Sequence, residues 1–488
     1  MDRLAIIVVL LIAFIILHMR NLKRKSEEEK CEGVIAFYIF SCCFTKLYLP
    51  LITVDEEQHY GSFGQSLVIW PYLLFCIYLL WTIKRKYGGL LSKPKKQLVA
   101  CFLIFAGFNL ANPNNAMVSS TMLAVFFLAT LFLFLFLLGN AFSLKTLVRG
   151  IYKGLALTIC LQAVLCIMFP ILGMKFITKV FVEGAGLRGE VGGRFETVGT
   201  FAHPNGLGVY GSYVFMFFLG CVMANFQRRK SAVLLAVCVF VTGLSGSRSA
   251  LASAMVGAVA LSIFYVLRRY SLLNPKVLLR GVLPVLIVGV VLAMGPLKQL
   301  FADADNLEEM ATYRLMHYYC AGEIVGDHPL IGVGLNCHLH YLLHNTSLVD
   351  FEAIFDTSEM WEPEEFMFRN PVHNIWLILL AEMGIIGFLP ILGFVIYYFA
   401  TFKRRIRKAQ NRYYHIVACT GLGIMCALLV QGNSDWNPLS QQQLIISLMF
   451  LCFSLNRRFM SDQYGDEMDI LQQPATPNED DADSLPPA

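Results

Sequence analysis

The stretch VSSTMLAVFFLATLFLFLFLL, residues Val118–Leu138, contains no charged side chain. A second stretch, IWLILLAEMGIIGFLPILGFVIYYFA, spans Ile375–Ala400 and carries Glu382 as its single charged residue. Uninterrupted apolar blocks of about 18 residues or more are typical of transmembrane helices. The two blocks therefore predict an all-α, polytopic membrane protein.

The composition of the whole chain leads to the same prediction. Of its 488 residues, 57% are hydrophobic and 15% are charged, whereas a soluble domain has about 45–50% apolar and about 25% charged residues. This excess excludes a soluble enzyme, a disordered chain and a disulfide-rich scaffold. Most of the 14 cysteines lie in apolar segments, where a free Cys behaves as a small hydrophobe. Only Cys320 and Cys337 lie in a long polar insert, and a disulfide between them stays open.

The apolar stretches predict thirteen membrane spans. They lie near residues 4–19, 34–53, 66–83, 97–111, 118–138, 154–173, 206–226, 231–244, 249–267, 277–295, 374–400, 413–431 and 439–455. We expect the first span to be a retained helix rather than a cleaved signal peptide, because a basic cluster and no small-residue cleavage site follows it.

Basic clusters set the expected topology, because Lys and Arg near the ends of spans stay cytoplasmic. Each cluster follows an odd-numbered span, which places the N-terminus outside and the C-terminus inside. The clusters are Arg20–Lys25, Lys84–Lys96, Lys145–Lys153, Arg228–Lys230, Arg268–Arg269, Lys403–Lys408 and Arg457–Arg458.

This topology divides the chain into five segments. They are N-terminal spans (1–173), a Gly-rich outer loop with central spans (174–295), an extracytoplasmic insert (296–373), C-terminal spans (374–456) and an acidic cytoplasmic tail (457–488). The tail is expected to be disordered, because it is acidic and contains prolines. Within the insert, Met310–Ile324 and Cys337–Leu348 are expected to form amphipathic helices over the membrane surface.

Four arginines on the outer side are candidate ligands for a phosphate group. Arg248 lies in a tight turn between two spans, and Arg314 lies early in the insert. Arg188 and Arg194 lie in the Gly-rich run 183–208, where glycines let the backbone approach a ligand closely. A guanidinium group binds phosphate oxygens with two parallel hydrogen bonds and keeps its charge. The alternative is that each Arg snorkels or pairs with an acidic residue of its loop.

His373 is the candidate catalytic residue. It precedes a span, so it is expected at the outer mouth of a helix, where a neutral imidazole can remove a proton from a hydroxyl group. Asn374 beside it can fix a substrate or the helix end. A packing or capping role for His373 is the alternative.

Three groups of residues have the side chains for a metal site. They are His338, His340 and His344, the pair Asp303 and Asp305, and the run Asp55-Glu56-Glu57. The histidine spacing suits an interfacial helix better, and an isolated acidic pair in so acidic a loop is expected by chance. We therefore predict no metal and no other cofactor.

Four motifs together resemble the O-antigen ligase and O-antigen polymerase superfamily of bacterial envelope glycosyltransferases. The resemblance covers roughly residues 180–400. The motifs are GTF-x-HPN at Gly199–Asn205, T-x-SR at Ser245–Arg248 with Ser in place of Thr, P-x-x-G-x-G at Pro329–Gly334, and HN-x9-GxxG at His373–Gly387. The HN-x9-GxxG motif is the most specific of the four.

The resemblance implies a GT-C-like enzyme of the bacterial inner membrane with its active site on the periplasmic side. Such enzymes transfer a glycan from undecaprenyl pyrophosphate to an acceptor hydroxyl of the lipid A core or of a growing chain. Arg248, Arg314 and His373 match the functional residues of the family, and His203, Asn374, Arg188 and Arg194 are further candidates for substrate binding. Family members usually have about 12 spans, so the thirteenth is a departure.

Several alternatives stay open at the level of sequence. A polymerase, an exopolysaccharide assembly enzyme and a protein O-glycosyltransferase share this chemistry, and they differ in the acceptor. A transporter of lipid-linked glycans would carry ionisable residues at mid-membrane and two similar halves, and the sequence has no comparable halves. A purely structural protein would leave the arginines and His373 without a purpose. No nucleic acid is expected as a partner.

Overall fold

The structure, a computed structural model, confirms the helical architecture of a polytopic membrane protein. It describes residues 27–44, 49–53, 66–69, 96–115, 117–172, 190–191, 194–195, 197–201, 203–269, 304–345, 371–408, 411–456 and 459. Arg188, Asp303, the Asp55–Glu57 run, the predicted spans 4–19 and 277–295 and the acidic tail from 460 onward lie outside these residues.

Twelve α-helices are present in the described residues. They are α1 (Glu27–Ser41), α2 (Lys96–Leu110), α3 (Val118–Ala141), α4 (Leu144–Leu172), α5 (Pro204–Met223), α6 (Arg228–Leu244), α7 (Arg248–Arg269), α8 (Ala304–Asp327), α9 (His338–Asn345), α10 (Ile375–Lys408), α11 (Arg412–Gln431) and α12 (Gln441–Leu455). A 3₁₀ turn, Asn437–Leu439, precedes α12.

Two short antiparallel ribbons interrupt the helices. Strand β1 (Leu49–Thr53) pairs with β2 (Ser66–Ile69), and β3 (Glu190–Val191) pairs with β4 (Arg194–Phe195). The predicted span 34–53 is therefore wrong, because α1 ends at Ser41 and a strand follows. Pro50 cannot donate a helical hydrogen bond, and the β-branched Ile52 and Thr53 favour a strand. The predicted span 66–83 likewise begins as strand β2.

Five of the described helices are long and apolar enough to cross a membrane, namely α3, α4, α5, α10 and α11. Shorter apolar helices are α2, α12 and the first part of α7. Helix α5 is the centre of the bundle. In its most apolar 18-residue stretch 83% of the residues are buried, whereas the corresponding share for α10 is 39%. It packs against α6, α7, α11 and α12.

The polar insert contributes two helices, α8 and α9, as its amphipathic pattern predicted. Met316, Cys320 and Ile324 recur at helical spacing on α8 and pack against Leu339 and Leu342 of α9. Met117 before α3 and Ala381 of α10 complete this second apolar cluster. The insert is thereby fixed onto the membrane helices.

The helices leave two chemically different ends. At one end, Glu32 of α1 binds Arg149 and Lys153 of α4. The same end has a cavity of about 420 Å³, lined by Glu32, Arg149, Tyr152, Lys153, Phe226, Gln227 and Arg412. Arg412 begins α11, and Gln431 ends it. A helix of this length, 20 residues, measures about 30 Å, so the turn after Gln431 lies at the opposite end.

Candidate functional site

Helix α8 presents three polar side chains to the end of the bundle that contains the turn after Gln431. Arg314, His317 and Tyr318 are three and four residues apart, so they share one face of the helix. Arg314 is half-buried, and His317 is buried. The Tyr318 hydroxyl donates to the carbonyl of Asn433 at 2.8 Å. This face of α8 therefore lies against the loop between α11 and α12.

His317 is in direct contact with His373. Their Nδ1 atoms lie 3.2 Å apart, and the two rings stack at 5.1 Å with an interplanar angle of 9°. Only 1% of His317 is exposed, whereas His373 is half-buried. Burial, with smaller effects from His373 and His338, holds the pKa of His317 well below its usual range. His317 is therefore neutral at physiological pH, and His373 is the more exposed ring of the pair.

Asn374 fixes the start of the helix that carries His373. Its Oδ1 accepts hydrogen bonds from the backbone of Trp376 at 3.0 Å and Leu377 at 3.1 Å. These are the contacts of an N-cap residue. The Ile375 amide donates to the carbonyl of Gly432 at 2.8 Å. The side-chain oxygen of Asn374 is thus engaged by the helix end, and His373 is held beside the turn after α11.

A buried acid, Asp435, lies in the loop between α11 and α12. Its Oδ1 accepts from the backbone and side chain of Asn437 at 3.0 and 2.7 Å. Its Oδ2 has no hydrogen-bond partner within the described part of the chain. Burial raises the pKa of Asp435, while these hydrogen bonds and the charge of Arg314 oppose the increase. Asp435 is therefore an electrostatic partner of Arg314.

Arg248 lies at the same end of the bundle. It is half-buried and is the first residue of α7, following a tight turn in which Gly246 has a φ of +69°. One turn further along α7, the Ser253 hydroxyl donates to Gln431 Oε1 at 3.1 Å. Gly208 of α5 packs against Ser247 and Ala250 without room for a side chain. The turn therefore places Arg248 at the end of the bundle where α11 ends.

The P-x-x-G-x-G and GxxG motifs dock onto one another. Helix α10 is broken at Gly384, which has a φ of +61°. At the break, the amides of Ile385 and Ile386 donate to the carbonyls of Pro329 and Leu330 at 2.9 and 3.0 Å. In return, the amides of Val333 and Gly334 donate to the carbonyls of Ala381 and Glu382 at 3.1 and 2.8 Å. A Cβ at Gly384 would overlap the backbone of Leu330. These glycines therefore make the insert fit into the broken helix.

A His–Glu pair is buried beside this break. His338 Nδ1 lies 2.6 Å from Glu382 Oε1, and both side chains are fully buried. Either ring nitrogen of a neutral imidazole can carry the hydrogen, so the tautomer of His338 sets which atom donates in this contact. His340 instead contacts His344, with ring centroids 4.4 Å apart. The three histidines therefore do not converge, and the described residues contain no group of three candidate metal ligands.

The remaining predicted site residues have different surroundings. His203 is exposed, and its Nδ1 accepts from the amide of Asn205 at 3.1 Å at the start of α5. Arg194 lies in strand β4. Residues 197–201, which follow this strand, are buried. Gln162 holds them in place: its Nε2 donates to the Thr200 hydroxyl, and its Oε1 accepts from the Thr200 amide. Gly199, with a φ of +56°, has no room for a side chain beside Gln162.

Cys320 and Cys337 are both free thiols. Both lie in the apolar cluster between α8 and α9. Burial raises the pKa of each thiol to about 12. The Cys337 sulfur also contacts the Thr121 hydroxyl at 3.4 Å and donates to Asn115 Oδ1 at 3.3 Å. They therefore act as packing residues.

Reasoning from the sequence missed three residues at this site: His317, Asp435 and Glu382. Asp435 had a signal as an ionisable residue between two predicted spans, and His317 had one as an ionisable residue of the predicted insert. Glu382 was noticed only as the single charge in an apolar stretch. A charge at such a position has a functional role by default. None of the three could be connected to His373 without the tertiary contacts.

Comparison with known proteins agrees with this arrangement. Residues 231–392 match the family model described as O-antigen ligase. The match includes Arg248, Arg314, His373 and the docked glycine motifs, and it covers about a third of the chain. The GTF-x-HPN segment lies before it. No curated protein matches the chain. Residues 231–392 are therefore similar to the O-antigen ligase family.

Proposed function

We propose that the protein transfers a glycan from an undecaprenyl-pyrophosphate carrier to an acceptor hydroxyl during assembly of a surface polysaccharide, as an O-antigen ligase does. The observation that carries the proposal is the placement of Arg314 and His317 on one face of α8, with His317 against His373. Arg314 is then one helical turn from the residue that contacts His373, which brings a cation for the leaving group and a base for the acceptor to the same end of the bundle. The lipid A core or a growing glycan is the acceptor class that fits the family.

The chemistry needs one base and a positive site. The acceptor hydroxyl gives its proton to His373 as its oxygen forms a bond to the anomeric carbon. The bond from that carbon to the pyrophosphate oxygen breaks, and the leaving group takes the electron pair. Arg248 and Arg314 stabilise the charge that develops there. A single displacement of this kind inverts the anomeric configuration.

The charge distribution supports an active site on the periplasmic face of the inner membrane. The basic residues Arg149, Lys153 and Arg412 lie at the end opposite the turn after α11. Positive residues at the ends of spans stay cytoplasmic. The end with His373 is then the periplasmic one, where a translocated lipid-linked glycan is available.

Transfer by purified protein tests the proposal. The protein is reconstituted in liposomes with an undecaprenyl-pyrophosphate oligosaccharide and lipid A core acceptor, without any gradient. We expect transfer by the parent protein and a loss of about 10²–10⁴-fold in His373→Ala, the usual cost of removing a general base. The exposed His344 gives the matched control, and His344→Ala should retain activity. Equal rates for the parent and His373→Ala, at equal amounts of folded protein, would exclude His373 as the base.

A further inference from the structure

The cavity at the end of the bundle opposite His373 has no part in the transfer chemistry. It measures about 420 Å³ and lies between α1, α4, α11 and the turn from α5 to α6. Pockets that bind small ligands usually measure about 300–1,000 Å³, so its size suits one ligand. Its lining combines three basic side chains, one carboxylate and two aromatic rings. Because basic groups outnumber the acid, the ligand class to consider is an anion.

Close packing of α1 against α4 fixes two of the basic residues in the wall of the cavity. Gly150 and Gly154 of α4 leave no room for a side chain, because a Cβ at either position would lie 2.7 Å from an isoleucine of α1. Small residues four apart let two membrane helices approach closely in this way. Arg149 and Lys153 directly precede these glycines, so the contact holds both of them beside α1.

The carboxylates near the cavity do not balance its positive charges. The ion pairs there join Glu32 to Arg149 and Lys153, and Glu28 to Lys145 and Arg149. Arg412 has no carboxylate within 4 Å in the part of the chain that the structure describes. Four basic side chains thus share two carboxylates, which leaves a net charge of +2 on this group.

Arg412 has a hydrogen-bond donor to spare. Its guanidinium group lies over the rings of Phe226 and Tyr413, 5.8 and 5.1 Å from their centroids. One terminal nitrogen donates to the Tyr413 hydroxyl at 3.4 Å. Its Nε is buried, and no described residue accepts a hydrogen bond from it. A buried charged donor without an acceptor is costly, and a phosphate oxygen is the acceptor that an arginine fork fits best.

The surface of α4 beside the cavity indicates that the anion belongs to a lipid. Below Lys153, one face of α4 exposes Leu157, Cys160, Val164 and Ile167. Alternating spacings of four and three residues place these side chains on one stripe of the helix. Helix α4 is long and apolar enough to cross a membrane, so the stripe faces acyl chains. A phospholipid covers the stripe with its tails and the basic residues with its headgroup, whereas a soluble phosphate ester covers only the latter.

We propose that this cavity is a binding site for the phosphate group of an anionic membrane phospholipid. Arg149, Lys153 and Arg412 bind the phosphate, and the glycerol part rests on the buried ring of Phe226. Basic pockets between membrane helices bind the headgroups of anionic lipids in this way. The inference goes beyond the proposed function and does not rest on it, because it concerns the other end of the bundle and requires only binding.

Lipid binding by the purified full-length protein tests the site. Native mass spectrometry of the protein in detergent counts bound lipid as phosphatidylglycerol, which is anionic, or phosphatidylcholine, which has no net charge, is added. We expect phosphatidylglycerol to bind about 10-fold more tightly. Arg412→Ala should weaken this binding about 10–100-fold, the equivalent of one or two charge-assisted hydrogen bonds. Arg404→Ala is the matched control, because Arg404 is exposed and lies outside the cavity. Equal binding of the two lipids, or equal phosphatidylglycerol binding by the parent and Arg412→Ala, would overturn the proposal.

A variant with the opposite expected effect separates loss of the site from loss of folding. Glu32→Gln keeps the size of the side chain and removes the carboxylate that Arg149 and Lys153 share. We expect phosphatidylglycerol to bind roughly 10-fold more tightly to this variant, because a negative charge near the phosphate is gone. Unchanged or weaker binding, in protein that elutes as a folded species on size exclusion, would contradict a phosphate among these basic residues.

Soluble phosphates distinguish a lipid from a water-soluble ligand. Inorganic phosphate and glycerol 3-phosphate offer the same charged group without acyl chains for the stripe on α4. Neither should displace phosphatidylglycerol from the parent protein at equal concentration. Displacement by either of them at equal concentration would overturn the assignment of a lipid to the cavity.

Discussion

At the scale of single residues, the candidate site contains charged and titratable side chains that are buried or half-buried, where solvent screens their charges less than at the surface. Arg314 and Asp435 come from segments far apart in the sequence, and their charges interact at the end of the bundle. Arg248 reaches the same end from the turn before α7. Arg, unlike Lys, forms two parallel hydrogen bonds with a phosphate group. The residue type, and not only its charge, should therefore matter at both positions.

We predict that Arg248→Lys and Arg314→Lys both impair glycan transfer and that each Ala variant is worse. If the two arginines bind one pyrophosphate, the double Ala variant should lose much less than the product of the two single losses, because groups acting as a unit are not additive. Initial rates of the four single variants and the double variant decide this. Near-normal rates in both Lys variants would mean that each Arg only anchors its own loop.

A second prediction concerns the stability of the protein in acid. The pKa of buried His317 lies well below its ordinary value of 6.5. Below about pH 6.5 the unfolded chain binds a proton that the folded protein excludes, so folding stability falls as the pH falls. At higher pH both states are neutral and this effect disappears. Thermal unfolding in detergent between pH 5 and 8 measures it. His317→Gln should flatten the acidic part of the curve, and an unchanged curve would contradict this role.

At the scale of secondary-structure elements, the break in α10 is the organising feature. The chain leaves the helical path at Gly384. The segment Pro329–Gly334 forms backbone hydrogen bonds with α10 on both sides of this break. Asn112 and Asn114 hold the same segment from the other side, through the carbonyls of Ile331 and Gly332. The described part of the insert thus packs into the membrane bundle.

We predict that Gly384→Ala destabilises the protein strongly. Gly384 has a ψ of −175°, and this combination with a positive φ is essentially restricted to glycine and costs another residue of order 1–3 kcal/mol. Overlap with Leu330 adds to that cost. Gly393 in the same helix is the matched control, because a Cβ there meets no atom within 4 Å. Gly393→Ala should be neutral or slightly stabilising. Melting temperatures in detergent compare the two. Similar melting temperatures would mean that the break is not rigid.

At the scale of the whole molecule, the two ends of the bundle carry different sets of charged residues. One end carries Arg149, Lys153 and Arg412 with the acid Glu32. The other end gathers Arg248, Arg314 and His373. A site with arginine cations can stabilise a pyrophosphate leaving group without a divalent ion.

We therefore predict that transfer survives chelation. Parent protein treated with EDTA and assayed in liposomes should keep its rate within a few fold, because Arg248 and Arg314 supply the positive charge. Addition of Mg²⁺ or Mn²⁺ should not increase the rate further. Complete loss of transfer in EDTA, with recovery on adding a divalent ion, would show that acidic or histidine residues bind a metal needed for the reaction.

The sequence by itself determined the class of this fold, and it supplied the candidate residues for the chemistry. Long apolar blocks such as Val118–Leu138 require helices in a membrane, because a lipid environment leaves backbone groups no partner except their own helix. Helical spacing of apolar residues likewise predicted α8 and α9 within the insert. The motifs around Arg248 and His373 could also be found in the sequence, because each is a short stretch of neighbouring residues.

Only the tertiary structure decided how these pieces meet. The span predicted over 34–53 was wrong, because α1 ends at Ser41 and strand β1 begins at Leu49. An uninterrupted run of apolar residues did not reveal this local preference for a strand. His317 and Asp435 became candidate site residues only through contacts with segments tens of residues away. The tertiary structure also answered the question of a disulfide between Cys320 and Cys337. Both are free thiols, and both pack in one apolar cluster. Such contacts depend on how helices pack, and a linear pattern carries no record of that packing.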